Sequence, residues 1–354
     1  MDIVAKRRGY QVLTVPSDEY YRPHPSSQGR SVFTSVNSWS WRMCRVPELD
    51  GVLFFPVTPF DGQGSVDLAA LAEHVSQGVA AGPGAVFVAC GTGEFHALDV
   101  EEYREVVATT VAVTDRRVPV YAGTGSALPV ARRCAAIAES VGADGLLLLP
   151  PYLVSGPTEG LVRYTQQVAD ASALPLIVYN RGGARFDAAA AAEVSRIATV
   201  AGFKDGIGDL DLLARIVLAV RGALDGTGKA FQFFNGMPTA EATVTAYRSL
   251  GVRLYSSAVF CFAPEISLAF YDAVSAGDEK VVEAFLTDFF HPLVELRETV
   301  PGYAVSLIKA AVRLRGLDVG GVRPPLVDPA PEHMARLAQI IDGGLALAKS
   351  VAGR

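Results

Sequence analysis

The chain has 354 residues, half of them apolar, so it can bury a sizeable core in one large domain or two ordinary ones, which excludes overall disorder. A formal net charge of −6 excludes a broad basic face for nucleic acid or for an anionic membrane. Apolar runs such as Leu146 to Leu149 stop at Pro150 and Pro151, far short of the ~20 residues that span a bilayer.

Residues 1–46 are polar, with prolines and serines and no sustained helical or strand period. They read as an N-terminal extension, either an extended arm anchored by Trp39 and Trp41 or an over-long gene start. No apolar core follows Lys6-Arg7-Arg8, so a secretory signal is not expected.

From residue 47 the chain alternates short branched-apolar runs with alanine-rich amphipathic segments. Strands are expected at Val52 to Thr58, Ala85 to Cys90, Pro119 to Gly123, Gly145 to Leu149, Leu176 to Tyr179, Val200 to Lys204, Phe231 to Asn235 and Leu254 to Phe260. Helices are expected to open near Asp67, Asp99, Leu128, Thr158, Asp187, Asp209, Pro238 and Pro264, several behind a capping Asp or a first-turn proline. Eight such units without a Gly-x-Gly-x-x-Gly after the first strand predict a (β/α)8 barrel over residues 47–276. Residues 277–354 read as helix only, at Glu279 to Glu298, Tyr303 to Arg315 and Pro331 to Lys349, and form a C-terminal helical region.

Cys44, Cys90, Cys134 and Cys261 lie too far apart for a zinc cluster or a disulfide scaffold, which fits a reducing, cytoplasmic setting. Cys90 and Cys261 read as small core residues. The histidines, His74 and His96 among them, lack ligand spacing, so no metal site is expected.

In such a barrel the active site lies at the carboxyl ends of the strands. Two of those ends are Tyr179 and Lys204, on neighbouring strands and leaving the sheet on the same side. A lysine ammonium cannot attack a carbonyl, but burial disfavours its charged form and frees the amine for imine chemistry. A nearby tyrosine hydroxyl can move the protons. The plainer alternatives are a rim lysine paired with Asp205 and a packed barrel tyrosine. Gly91-Thr92-Gly93 is either a backbone nest for a carboxylate or a tight turn that needs glycine. Glu94 and Asp209 read as structural, Glu94 at a turn and Asp209 as a helix cap.

These strand ends carry a family resemblance. Phe55-Pro-Val-Thr-Pro-Phe, Gly91-Thr-Gly-Glu-Phe, Pro150-Pro-Tyr-Leu, Val178-Tyr-Asn-Arg, Gly202-Phe-Lys-Asp-Gly-Ile-Gly-Asp, Gly236-Met-Pro-Thr-Ala-Glu, Tyr255-Ser-Ser-Ala-Val-Phe and Gly302-Tyr-Ala-Val-Ser resemble the 5-dehydro-4-deoxyglucarate dehydratases of the dihydrodipicolinate synthase and N-acetylneuraminate lyase superfamily. The similarity runs from about Gly51 to Ile341. It implies an imine lysine at Lys204, a proton-shuttling tyrosine at Tyr179 and a keto-acid carboxylate site at Gly91 and Thr92. Arg181, Ser256 and Ser257 are the candidates for the distal hydroxyls and carboxylate, a rim salt bridge being the alternative for Arg181.

The implied reaction is a dehydration with decarboxylation of a keto sugar diacid to 2,5-dioxopentanoate. It uses no metal or other cofactor, because the protonated imine is the electron sink. The synthases carry a threonine and a second tyrosine where this chain has Gly91 and Leu153, so the synthase proton relay is not expected. Cys261, and Gly182-Gly183 in place of an Asp-Asn pair, depart from the dehydratase pattern and put the exact substrate in question. The alternatives are a 2-keto acid aldolase or lyase on the same barrel, and a non-catalytic barrel that binds sugar acids. Relatives imply a homodimer or homotetramer.

Overall fold

The computed structural model describes residues 48–152 and 154–353. The N-terminal extension with Trp39, Trp41 and Cys44 lies outside the described residues, as does Leu153.

Eight parallel strands close into a barrel in sequence order: β1 (Leu53–Phe54), β2 (Ala85–Val88), β3 (Val120–Thr124), β4 (Gly145–Leu148), β5 (Leu176–Asn180), β6 (Val200–Asp205), β7 (Gln232–Asn235) and β8 (Leu254–Ser257). Between and after them run α1 (Leu68–Ala80), α2 (Val100–Thr114), α3 (Leu128–Ser140), α4 (Thr158–Ala169), α5 (Ala188–Ser195), α6 (Leu210–Leu224), α7 (Val244–Ser249) and α8 (Pro264–Ala276). The Asp caps act as the sequence predicts. Asp67, Asp99, Asp187 and Asp209 each accept a backbone N–H from the first turn of the following helix, and Asp99 forms a full capping box with Glu102.

Three elements differ from expectation. Strand β1 pairs only over Leu53 and Phe54, since Pro56 and Pro59 have no N–H to give the ladder. Strand β8 stops at Ser257, whose Oγ accepts the Phe260 N–H at 3.2 Å and turns the chain into a 3-10 coil at Val259–Cys261. The helix expected from Pro238 begins only at Val244. Asn235 Nδ2 holds the Ala240 carbonyl at 3.0 Å and Thr243 Oγ1 at 2.9 Å, which keeps Ala240–Thr243 in a 3-10 turn.

Side chains alternate along each strand, so two cores form. One lies between the strands and the helices. The other fills the barrel, where Phe55, Phe87 and Tyr121 stack with ring centres 4.7 and 4.9 Å apart. Gly145 makes room for this stack, because a Cβ there would sit 2.2 Å from the Tyr121 ring. Leu49 closes the far end, tied to the Gln232 side chain by two hydrogen bonds.

The C-terminal helices are α9 (Glu279–Phe285), α10 (His291–Arg297), α11 (Tyr303–Leu314) and α12 (Pro331–Ala352). A π turn at Leu286–Phe290 joins α9 to α10, just before Pro292 removes a donor from the ladder. Among the described residues no helix is long and apolar enough to cross a membrane.

Candidate active site

A cavity of about 710 Å³ opens at the carboxyl ends of the strands. Its wall includes Lys204, Tyr179, Arg181, Gly91, Thr92 and Ser256, and also Arg297 and Thr239.

Tyr179 and Lys204 are direct partners in the register of β5 and β6, and both are buried. The Lys204 amine sits 4.1 Å from the centre of the Phe55 ring and 4.7 Å from that of Tyr179. The aromatic stack of the barrel is therefore the floor of the site. Burial there pulls the Lys204 ammonium down to about 7, with the Cys90 thiol opposing and the Arg181 guanidinium adding to the fall.

The rim pairing with Asp205 is absent. Asp205 faces away from the barrel axis, accepting from Tyr247 OH at 2.6 Å, Asn180 Nδ2 at 2.9 Å and the Gly208 N–H at 3.1 Å. Among the described residues no carboxylate pairs with Lys204.

The Tyr179 hydroxyl donates to the Gly236 carbonyl at 2.6 Å and accepts from Arg181 Nη1 at 2.9 Å. Burial raises its pKa, and the Arg181 charge and hydrogen bond oppose that rise. Arg181 is thus hydrogen-bonded to the tyrosine, and no salt bridge occupies it among the described residues. Gly206 and Gly236 give this pair its space. A Cβ on Gly236 would lie 2.7 Å from Lys204 Cγ and Cε and from Tyr179 Cε2, and one on Gly206 would lie 2.8 Å from Tyr179 Cε2.

Gly91 and Thr92 lie on the cavity wall in the turn after β2. Their N–H groups have no backbone acceptor among the described residues, so they are available to an anion. Gly93 is held apart from them, its carbonyl accepting from Thr58 Oγ1 at 2.7 Å.

The two serines separate. Ser256 is half-buried on the cavity wall, whereas Ser257 is fully buried with its Oγ 2.9 Å from Ser267 Oγ. Adjacent strand residues face opposite sides of the sheet, so only Ser256 looks into the barrel mouth. Cys261 is likewise off the wall. Its buried thiol donates to the Phe55 carbonyl at 3.0 Å. Gly182 does line the cavity, with a φ of 59° that favours glycine. His74 is buried and neutral, its pKa lowered to about 4 by burial, and its Nε2 accepts the Val57 N–H at 3.3 Å.

Sequence reasoning missed Arg297. It comes from the end of α10, where it reads as one more polar residue of an amphipathic helix. Its Nη1 donates to Thr239 Oγ1 at 2.7 Å, and Thr239 is a β-branched residue held at a φ of 52°. A basic residue at a helix C-terminus offers only a faint signal in sequence.

The sequence profile of the dihydrodipicolinate synthetase family matches residues 48–343. The protein named "Probable 5-dehydro-4-deoxyglucarate dehydratase 1" of Streptomyces coelicolor is 54% identical over 304 residues, covering 86% of this chain and 96% of that one. A "Probable 5-dehydro-4-deoxyglucarate dehydratase" of Paracidovorax citrulli is 40% identical, covering 82% of this chain and 94% of that one. Among solved structures, the dihydrodipicolinate synthase of Oceanobacillus iheyensis shares the fold with a TM-score of 0.76 at 23% identity, over 83% of this chain and 96% of that one. The profile match and the level of identity place this chain in the dihydrodipicolinate synthetase family.

Proposed function

We propose that this protein is a 5-dehydro-4-deoxyglucarate dehydratase, a lyase that converts the keto diacid to 2,5-dioxopentanoate, CO2 and water through an imine on Lys204. The observation that supports this most is Lys204 itself, a buried amine with no carboxylate partner among the described residues, against aromatic rings and in register with Tyr179. The names of relatives at 50–54% identity select the substrate.

The neutral Lys204 amine attacks the C5 ketone while the Gly91 and Thr92 amides, together with the Thr92 hydroxyl, hold the neighbouring C6 carboxylate. Loss of the carbinolamine hydroxyl as water, with a proton from Tyr179, leaves an iminium and a tyrosinate facing Arg181. The tyrosinate removes a C4 proton and returns it to the departing C3 hydroxyl. In this sequence the proton taken from C4 leaves with the C3 oxygen, so no threonine and tyrosine relay to solvent is needed at that step.

The product is an iminium conjugated through C4 and C3. The C1–C2 bond then breaks, CO2 departs, and the electron pair runs through C2, C3 and C4 to the imine nitrogen. One solvent proton is taken up on carbon, water hydrolyses the imine, and the C2 enol becomes the aldehyde. The balance is one dianion and one proton in, one monoanion, CO2 and water out.

Ser256 and Arg297 are assigned to the distal hydroxyls and the C1 carboxylate, since Arg181 is engaged at the tyrosine while Arg297 lies on the cavity wall with only the exposed Glu298, at 2.8 Å, as its ion-pair partner among the described residues. We place the enzyme in the cytoplasm as a homo-oligomer, in keeping with buried free thiols at Cys90, Cys134 and Cys261.

The test is borohydride reduction in the presence of 5-dehydro-4-deoxyglucarate, followed by mass spectrometry of the peptide holding Lys204 and assay of CO2 and 2,5-dioxopentanoate. A trapped adduct with both products supports the assignment. Pyruvate release from other keto acids, without CO2, points to an aldolase, and no adduct with any 2-keto acid ends the imine mechanism.

A further inference from the structure

We propose that the segment from α11 to residue 323 sets the shape of the carboxylate-reading loop, with Lys309 as a positioning residue that acts through Glu94 and the Arg323 side chain as the anchor that holds its own backbone N–H against Glu94. The inference rests on the reading of Gly91 and Thr92 as the carboxylate receptor.

The loop after β2 is bracketed by two non-glycine residues in the left-handed region, Ala89 at a φ of 49° and Glu94 at 53°. Such conformations persist where the surroundings over-determine them. At Glu94 those surroundings come from the far end of the chain. Its Oε1 lies 2.9 Å from Lys309 Nζ with both side chains 0% exposed, and its Oε2 accepts the Arg323 N–H at 3.0 Å.

Both cations are held in turn. Lys309 Nζ donates to the Gly321 carbonyl at 2.7 Å and lies 3.9 Å from the centre of the Phe60 ring. The Arg323 guanidinium lies 4.1 Å from that same ring and grips Glu102, the Ala97 carbonyl and the Gly64 carbonyl. The Phe60 N–H donates to the Val319 carbonyl at 3.1 Å, and a Cβ on Gly320 would fall 1.9 Å from the Phe60 carbonyl oxygen. The segment is thus packed without slack against Phe60 after β1, and from there it bonds Glu94 of the loop.

A buried ion pair adds little net stability but is costly to break, because the surviving charge is left without a partner. Removing the Lys309 amine therefore obliges Glu94 to turn toward water. Glu94 follows Gly93 directly, so that turn moves the amides of Gly91 and Thr92. The carboxylate receptor is in this way completed by a segment more than two hundred residues away in the chain.

The experiment uses the full chain and four variants, Lys309→Gln, Lys309→Arg, Arg323→Gln and Thr92→Ala, each checked for folding by circular dichroism. Two quantities are read. One is the pyruvate concentration that half-saturates borohydride trapping at Lys204, since pyruvate offers only the ketone and its adjacent carboxylate. The other is the split between KM and kcat on the diacid. Lys309→Gln is expected to raise the pyruvate half-saturation and KM about tenfold with a smaller fall in kcat, Lys309→Arg to restore most of it, and Arg323→Gln to raise both about threefold.

Folded Lys309→Gln with an unchanged pyruvate half-saturation overturns the proposal. Should that variant not fold, an unchanged value in folded Arg323→Gln does the same. If Thr92→Ala raises the half-saturation while these do not, only the positioning role has failed. If Thr92→Ala leaves it unchanged too, the carboxylate reading has failed with it.

Discussion

Tyr179 and Lys204 stand opposite one another across β5 and β6, and the Lys204 amine lies 4.7 Å from the centre of the tyrosine ring. The tyrosine is thus a wall of the amine's pocket and, in the proposed mechanism, its acid. Its ring helps exclude water from the amine, and its hydroxyl, held between Gly236 and Arg181, faces the space above.

That burial has a thermodynamic consequence. The Lys204 pKa falls to about 7 when the chain folds, against ~10.4 in an unfolded chain. Between those values the unfolded state binds more protons, so this residue makes stability rise with pH, and below about 7 its cost is full. Lys204→Met removes the cost. The variant is expected to be more stable than the native protein at pH 6, by at most on the order of 4 kcal/mol, with the gap narrowing by pH 9. Urea unfolding at the two pH values checks this, and equal midpoints at pH 6 would count against it. Borohydride trapping is lost at both.

Arg181 opposes the rise that burial imposes on Tyr179, so its removal leaves the phenol harder to ionise. Pyruvate isolates this step, because its methyl protons exchange with D2O through the enamine without elimination. Arg181→Met is expected to move the rising limb of exchange against pH to higher pH. Tyr179→Phe should cut the exchange rate by about 10²–10⁴ while the adduct still forms. An Arg181→Met profile that overlays the native one would remove the arginine from the proton path.

The eight-strand barrel and the placement of Tyr179 and Lys204 at its mouth were legible because both signals are local. Strand spacing reports the barrel, and a Tyr and a Lys at strand ends report the mouth. Facing was less legible, since Ser256 and Ser257 are neighbours and only the final register says which looks inward. Arg297 and the Glu94–Lys309 pair were hidden for another reason. Their partners come from helices far along the chain, and an amphipathic helix does not announce which of its cations turns inward. Gly206 and Gly236 were visible as glycines, but what they make room for depends on side chains brought in from other strands.

Gly236→Ala tests that last relationship. The added methyl would meet Lys204 and Tyr179 at 2.7 Å, closer than van der Waals contact allows, so one of them must shift. Trapping by pyruvate is expected to slow by about tenfold or more, given the sensitivity of such geometry to small displacements. Gly222→Ala is the control, because a Cβ there meets nothing within 4 Å. Similar trapping rates for the two variants would mean that Gly236 is an ordinary turn.

The two serines of β8 make opposed predictions, and the pair tests the facing of the strand. Ser257 Oγ accepts the Phe260 N–H and bonds Ser267 in full burial, so Ser257→Ala leaves both without a partner and should cost about 1–3 kcal/mol of stability. KM for the diacid should not move. Ser256 is half-buried on the cavity wall, where Ser256→Ala deletes no hydrogen bond found among the described residues but removes a group that the proposed function assigns to the substrate. It should raise KM by a factor of about three to ten, the worth of one hydrogen bond, with the unfolding midpoint unchanged. The reverse pattern, with Ser257→Ala altering KM and Ser256→Ala altering stability, would mean that β8 is read on the wrong face.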